Sequence, residues 1–465
     1  MTTFLSFLFF MMLFVIIGVL SSFKSKNNSA DYLLASRRGH PIMIALSAVA
    51  TNNSGYMFIG VIGYTYLNGI AVIWIFIPLI IGDFCASLFA YKKIRIVSEK
   101  INAQSFPETI ARWSGKEFKF LRILSSIILL IFLSIYASAQ LRAGGKAIHA
   151  IFGWDEIVGV SIGTIIVLIY CFLGGIRASI WTNTVQSIIM ILSMILLFFV
   201  ALNFHGGIKN FIQSLHLIDD NYLSLIPRND IKNPLICLVL FSFGWFFGGL
   251  GIIGQPHIMT SFMAMSKPDD IKKIRIYYYS WYCIFFIFTI LTGLISRVII
   301  NNYAGYDPEL SLPILAKMVL PEILIGFIVA GIFSATMSTA DSQIICCSAT
   351  ISNDIFQRSK KSYLIAKTSI ILVTFFSFII ALIDSQTVFS LVMLGWLALA
   401  CSFSPIIIIY SFEKKPTQSL LLGAMITGLF SMLLWRFFNF GNELYEAGIG
   451  IPAGLIYYLM WKKLS

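Results

Sequence analysis

Polar and apolar positions along this chain fall into long blocks rather than short alternations. Thirteen apolar runs occupy roughly 3–22, 41–67, 70–91, 121–145, 157–173, 180–203, 234–262, 276–300, 323–349, 362–383, 387–411, 418–437 and 447–461. Most exceed the ~17 residues that a helix needs to cross a bilayer, and the shortest sit near that limit. The pattern predicts an all-α polytopic membrane protein with about thirteen transmembrane helices. Longer polar segments at 204–233 and 301–322 are read as outer excursions, and a short surface helix is expected near 107–113 in the 91–120 loop.

Two spans are interrupted. The second contains Ala50-Thr51-Asn52-Asn53-Ser54-Gly55-Tyr56, a polar stretch of poor helix formers. The seventh contains Gly244, then Gly248-Gly249-Leu250-Gly251-Ile252-Ile253-Gly254-Gln255-Pro256. Each is a place where a helix can unwind and offer bare carbonyls to a ligand. The breaks lie five spans apart, and an odd offset inverts topology. Spans two to six and seven to eleven therefore read as inverted repeats, about 41–203 and 234–411, preceded by 1–40 and followed by two spans in 412–465. The alternative is that glycine-rich spans simply pack closely. The G-x-G-x-x-G string at Gly249–Gly254 lies inside a span with no preceding strand, which excludes a dinucleotide site.

The ninth span carries the chemistry. Its centre, Ser334–Ser342, reads SATMSTADS, five hydroxyls and one carboxylate between apolar flanks. A charge at that depth costs about 2.5–3.5 kcal/mol on insertion scales, so the cluster must face protein or a wet cavity. Ala335, Ser338, Thr339 and Ser342 share one helical stripe, and Ser334, Ser338 and Asp341 form the adjoining one. Hydroxyls from Ser338 and Thr339, a carbonyl from Ala335 and carbonyls from the broken second span make a set suited to a small hard cation. Asp83 also lies within a span, where it either lines a cavity or pairs with a polar neighbour.

Charge placement sharpens this picture. The net charge is +12, yet 25 of the 33 Lys and Arg fall in alternate inter-span loops. That is a topogenic bias, placing the N-terminus outside and the C-terminus in the cytoplasm of a bacterial-type inner membrane, and it argues against nucleic acid as a partner. The partners expected are lipid and a small-molecule substrate, with no obligate protein partner evident. The seven cysteines lie within spans without C-x-x-C spacing and read as small apolar packers. The spans show neither a nucleophile–base pair nor a metal cluster, so no enzyme is expected.

Several motifs, in order over about 30–410, carry a family resemblance. They are DYLLASRR at Asp31–Arg38, Ala45-Leu46-Ser47-Ala48 with Ser54-Gly55, and Gly174-Gly175-Ile176 with Trp181-Thr182. Gly254-Gln255-Pro256-His257 with Phe262-Met263-Ala264, and Met337-Ser338-Thr339 through Asn353-Asp354-Ile355-Phe356, complete the set. The chain resembles the sodium/solute symporter family with its LeuT-type core, nearest the sodium/proline branch. The resemblance implies Na+ as coupling ion, held by carbonyls of Ala50, Asn53 and Ala335 and hydroxyls of Ser338 and Thr339. It also implies a solute cavity between the broken spans near Asn52, Ser54, Gly55, Tyr56 and Gln255.

Three departures matter. Proline-branch relatives carry carboxylates where this chain has Asn52 and Asn183. Asp341 then stands as the replacement charge, for sodium or for a second cation or proton, with Asn183 and Ser342 associated with coupling; the alternative is a structural hydrogen-bonding role. Those relatives also carry aromatics where this chain has Gly248 and Ile252, leaving Trp245, Phe246 or Tyr56 as candidate cavity walls. The expected function is sodium-coupled import of a small organic solute, an amino acid such as proline or a similar zwitterion or anion, by alternating access. Alternatives are proton coupling, another substrate (pantothenate, a sugar, an organic acid), an ion channel, or a sensor derived from a transporter.

Overall fold

Backbone amides and carbonyls find no partners in hydrocarbon, so a chain of apolar blocks satisfies them internally as helices. The computed structural model describes the chain except residues 27, 220, 229–231, 301–305, 357–361, 384–387, 414, 439, 441–443 and 464–465. Among the described residues there is no strand, only an isolated bridge between Gly39 and Met265. The first half contains α1 (Thr2–Ser22), α2 (Ser29–Leu34), α3 (Pro41–Asn52), α4 (Ile62–Asn68), α5 (Ile73–Ala86), α6 (Lys92–Lys100), α7 (Phe106–Ala111), α8 (Lys119–Phe152), α9 (Glu156–Phe204) and α10 (Gly207–His216). The second contains α11 (Pro234–Leu250), α12 (Pro256–Met263), α13 (Ile271–Ile299), α14 (Ser311–Val319), α15 (Glu322–Thr350), α16 (Ser362–Ile383), α17 (Val388–Phe412), α18 (Gln418–Phe437) and α19 (Ala447–Lys462).

Ten helical segments among the described residues are long and apolar enough to cross a bilayer. The 49 residues of α9 would run ~74 Å if straight, more than twice a ~30 Å hydrocarbon core. The helix instead breaks at Gly175, whose φ of 54° and ψ of −143° leave the helical region. Only glycine fits there: a Cβ would strike the Tyr32 carbonyl. Tyr32 holds the same corner, its hydroxyl donating to the Cys171 carbonyl at 2.8 Å. The corner at Gly175 comes five residues before the predicted start of the 180–203 span.

Every residue of α15 from Ile328 to Thr350 is buried, so this span is the centre of the bundle, packed among α1, α3, α8 and α9. A helix buried on all sides can carry polar groups only where neighbours answer them, which is why the Ser334–Ser342 cluster sits here. Helices α5 and α11 touch backbone to backbone, with Gly82 against the Phe246 carbonyl and Gly249 against Leu79 and Asp83.

Both expected breaks are present. Helix α3 stops at Asn52 and the chain resumes as a π turn at Tyr56–Val61 leading into α4. Helix α11 passes through a 3-10 turn at Gly251–Gly254 and an extended Gln255 into α12. The helix expected near 107–113 forms as α7, capped by Ser105, whose hydroxyl accepts from the Glu108 amide at 3.2 Å. It is buried rather than on the surface, because Phe106, Pro107 and Ile110 turn into the bundle and Arg112 pairs with Glu108 at 2.8 Å. The 204–233 excursion contains α10, anchored by Phe211 and Leu215. The other outer segment contains α14, while residues 301–305 of it, like 357–361 and Lys414 of the basic loops, lie outside the described residues.

Candidate sodium site and solute cavity

The end of α3 exposes carbonyls for a simple reason. Regular helix would spend the amides of Gly55, Tyr56 and Met57 on the carbonyls of Thr51, Asn52 and Asn53. Instead the Gly55 amide donates to Gln140 Oε1 at 2.9 Å, Tyr56 to Ser54 Oγ at 3.3 Å and Met57 to the Ser54 carbonyl at 2.9 Å. Helix α15 meets the freed edge. Ser338 Oγ lies 3.3 Å from the Ala50 carbonyl and 3.1 Å from that of Ala335. Thr339 Oγ1 lies 2.9 Å from the Thr51 carbonyl and 3.2 Å from that of Ala335. Two hydroxyls and three carbonyls thus converge between α3 and α15, all buried. Asn53 follows directly, at φ −95° and ψ 72°, with its side-chain Nδ2 on the Val49 carbonyl at 2.8 Å and its Oδ1 buried without a partner.

Asp341 lies one turn beyond and is fully buried. Its Oδ1 accepts from Ser179 Oγ at 2.8 Å, Ser342 Oγ at 2.9 Å and Asn183 Nδ2 at 3.3 Å, and its Oδ2 accepts from Tyr170 at 2.9 Å. Asn183 Nδ2 is the hub of this patch. It sits within 3.3 Å of five oxygens: Thr51 Oγ1, Ser179 Oγ, the Ser338 carbonyl, Asp341 Oδ1 and Ser342 Oγ. An amide nitrogen has two hydrogens, so it cannot satisfy five acceptors, while Asn183 Oδ1 is buried with no partner. The sequence brought Asp341, Asn183 and Ser342 forward; the structure adds Thr51, Tyr170 and Ser179. The i, i+4 spacing of Ser179 and Asn183 in an apolar span was the available signal.

This geometry can be set beside known proteins. A profile described as the Sodium:solute symporter family matches residues 32–429, well over half of the chain. The chain belongs to the sodium:solute symporter family. The high-affinity proline transporter PutP of Bacillus subtilis is 29% identical over 446 residues, covering 94% of this chain and 92% of the relative. The osmoregulated proline transporter OpuE of the same organism is 28% identical, covering 89% and 85%. A sodium/proline symporter of Staphylococcus aureus is 26% identical, covering 92% and 84%. Among solved structures, the substrate-bound outward-open state of a Na+-coupled sialic acid symporter matches with a TM-score of 0.84 at 18% identity, covering 100% of this chain and 98% of that one. A nucleobase-cation-symport-1 family transporter, MHP1, matches with a TM-score of 0.61 at 13% identity, covering 93% and 94%. The symporter is thus a multi-pass membrane protein with the LeuT-type fold, and it couples solute transport to Na+.

Beside the first break of the symporter lies a set of buried polar groups with spare bonding capacity. Tyr136 reaches Ser54 Oγ at 3.4 Å and sets its ring edge against His257, with centroids 5.6 Å apart. Gln140, one turn along α8, holds the Gly55 amide through Oε1 and leaves Nε2 unpartnered. Both ring nitrogens of His257 and the Tyr56 hydroxyl are buried without partners. Gln255 donates through Nε2 to the Trp396 carbonyl at 2.8 Å and leaves Oε1 unpartnered. Unpaired buried donors and acceptors at two helix breaks are what a polar solute would satisfy.

Ser54, Gly55, Tyr56 and Gln255 are therefore brought to one region. Asn52 donates to Tyr278 at 2.9 Å and Tyr282 at 3.1 Å on α13. Trp245 stacks on Tyr445, centroids 4.1 Å apart, against the segment that precedes α19. Tyr136, Gln140 and His257 are buried polar groups at this break that sequence reasoning passed over. Their signal was a tyrosine and a glutamine at i, i+4 within one apolar span.

Proposed function

We propose that the symporter imports a small zwitterionic or anionic organic solute, an amino acid such as proline, through a cavity bounded by Ser54, Gly55, Tyr56, Gln255 and the added Tyr136, Gln140 and His257. Sodium binds between α3 and α15 on the carbonyls of Ala50, Asn53 and Ala335 and the hydroxyls of Ser338 and Thr339. The observation that carries this reading is the meeting of Ser338 and Thr339 with carbonyls at the opened end of α3. Asp341 supplies the negative charge that relatives place elsewhere, through the Asn183–Ser342 patch. Relatives that transport proline support the solute class; Gly248 and Ile252, in place of aromatics, argue for a differently shaped wall.

Thirteen crossings follow if α9 and the 45-residue segment Tyr56–Lys100 each cross twice and α19 crosses once. With an outside N-terminus and inner-membrane location, 41–203 and 234–411 then act as inverted repeats that alternate access, and no covalent chemistry is involved. Sodium raises solute affinity by the factor by which solute raises sodium affinity. Uptake of a labelled panel (proline, other amino acids, betaine, pantothenate, short organic acids, sugars) into proteoliposomes tests the proposal. A saturable, sodium-stimulated signal for an amino acid supports it; stimulation confined to sugars refutes the solute class.

A further inference from the structure

Asp83 is buried in α5 and takes no part in the sites described above. Tyr91 donates to its Oδ1, and its Oδ2 is buried with no partner. Three further phenols, Tyr278, Tyr279 and Tyr282 of α13, lie close enough to interact electrostatically with the carboxylate. Two of these, Tyr278 and Tyr282, accept the hydrogen bonds of Asn52 at the first break. On the other side, the Asp83 backbone lies against Gly249, at the entrance to the second break; a Cβ on Gly249 would fall 2.8 Å from the Asp83 amide. Asp83 thus lies between the two breaks: its backbone packs against Gly249 of α11, and its carboxylate neighbours the tyrosines that hold Asn52.

We propose that Asp83 is a proton-binding site, and that its proton and the sodium ion at the α3 break are bound in competition. The second half of this statement rests on the sodium site proposed above; the first does not. A proton suits the site better than a metal cation. The chain is helical from Ile73 through Ala86 and continues as a π turn over Ser87–Tyr91, so its carbonyls are committed to the helix. A proton needs only the one unpartnered oxygen, whereas sodium needs several oxygens at once and Asp83 Oδ1 is already taken by Tyr91. Among the described residues no basic side chain forms an ion pair with Asp83. Arg275 donates through one terminal nitrogen to the Ser87 carbonyl at 2.5 Å and keeps a buried Nε unpartnered, and Lys92 pairs with Asp269 at 2.6 Å.

Protonated, Asp83 is neutral and leaves the Tyr278–Asn52 bonds as they stand. Ionised, it adds a negative charge behind the first break and strengthens cation binding there. By linkage, sodium binding then expels the proton, and acid weakens sodium binding.

Difference infrared titration of the purified symporter in lipid nanodiscs, without sodium, reads the site directly. The protonated-carboxyl stretch of Asp83 is expected at acid pH, lost on alkalinisation and missing at every pH in Asp83→Asn. Tyr91→Phe, which removes one hydroxyl and keeps the ring, should retain the band at a shifted frequency. Wild-type and Asp83→Asn spectra that superimpose throughout would overturn the proton site. Adding sodium chloride to weakly buffered protein with a pH dye should release protons from wild type, and Asp83→Asn should lose that release, with choline chloride as the blank. Sodium binding without proton release overturns the competition. Failure to bind radioactive sodium at all overturns the sodium site, and the proton site then stands or falls on the infrared titration.

Discussion

Replacing Asp341 by Asn separates an electrostatic role from a merely structural one. The substitution keeps the shape and removes one charge. Asp341 Oδ1 and the Ser338 carbonyl both contact Asn183 Nδ2, at 3.3 and 3.2 Å, so they are at most about 6.5 Å apart. A unit charge pair at about 6 Å with an effective dielectric of about 20 is worth ~3 kcal/mol. That corresponds to roughly a hundredfold in affinity, an upper bound because Ser179, Ser342 and Tyr170 screen the carboxylate and persist in the variant. Asp341→Asn should therefore weaken sodium binding by about ten- to a hundredfold, read by equilibrium binding of radioactive sodium to purified protein whose thermal unfolding is checked in parallel. A variant that folds and binds sodium as tightly as wild type refutes the electrostatic assignment and leaves Asp341 as a hydrogen-bond partner only.

Other outcomes follow from neighbouring geometry. Gln140→Leu removes the acceptor of the Gly55 amide, one of the bonds that keeps the end of α3 open, and should lower solute affinity in uptake assays and weaken sodium binding with it. Arg122 pairs with buried Asp354 at 2.7 Å and donates to the Asn353 carbonyl at 2.7 Å; Arg122→Ala should cost about 3–5 kcal/mol in denaturant unfolding, partly recovered in the double variant with Asp354→Asn. Burial opposes ionisation of Asp31, but Ser36, the Lys26 amide and Arg177 outweigh it and hold the carboxyl below its usual range. A depressed carboxyl contributes its full stability above its unfolded value of about 4 and loses it only as pH falls through the lower folded value. Asp31→Asn should then destabilise equally at pH 8 and pH 5, measured by thermal unfolding, and the gap to wild type should close only in stronger acid.

The spans and both breaks were legible because they are one-dimensional signals: apolar length, runs of poor helix formers, and glycine or proline placement. The hydroxyl stripe of α15 was legible for the same reason, since Ser338 and Thr339 share a face by spacing alone. Partnerships across the bundle were not. Nothing in the spacing of Asp341 indicates that Tyr170, 171 positions earlier, and Ser179 would answer it. Asn52 sat beside Ser54 in the chain, yet the end of α3 turns it toward α13. The stacking of Trp245 on Tyr445, 200 positions later, is likewise invisible in the spacing. The burial of the 107–113 helix is not visible in the sequence either: Glu108 and Arg112 pair with each other and let α7 sink into the bundle.

The central claim is that the coupling ion binds where α15 meets the opened end of α3. The most direct test is the sodium dependence of solute uptake into proteoliposomes by wild type and by Ser338→Ala, which removes a hydroxyl facing the Ala50 carbonyl. The account predicts that the sodium concentration for half-maximal uptake rises at least tenfold in the variant, with solute binding recovered at high sodium. An unchanged sodium requirement in a folded, transporting Ser338→Ala protein would contradict it.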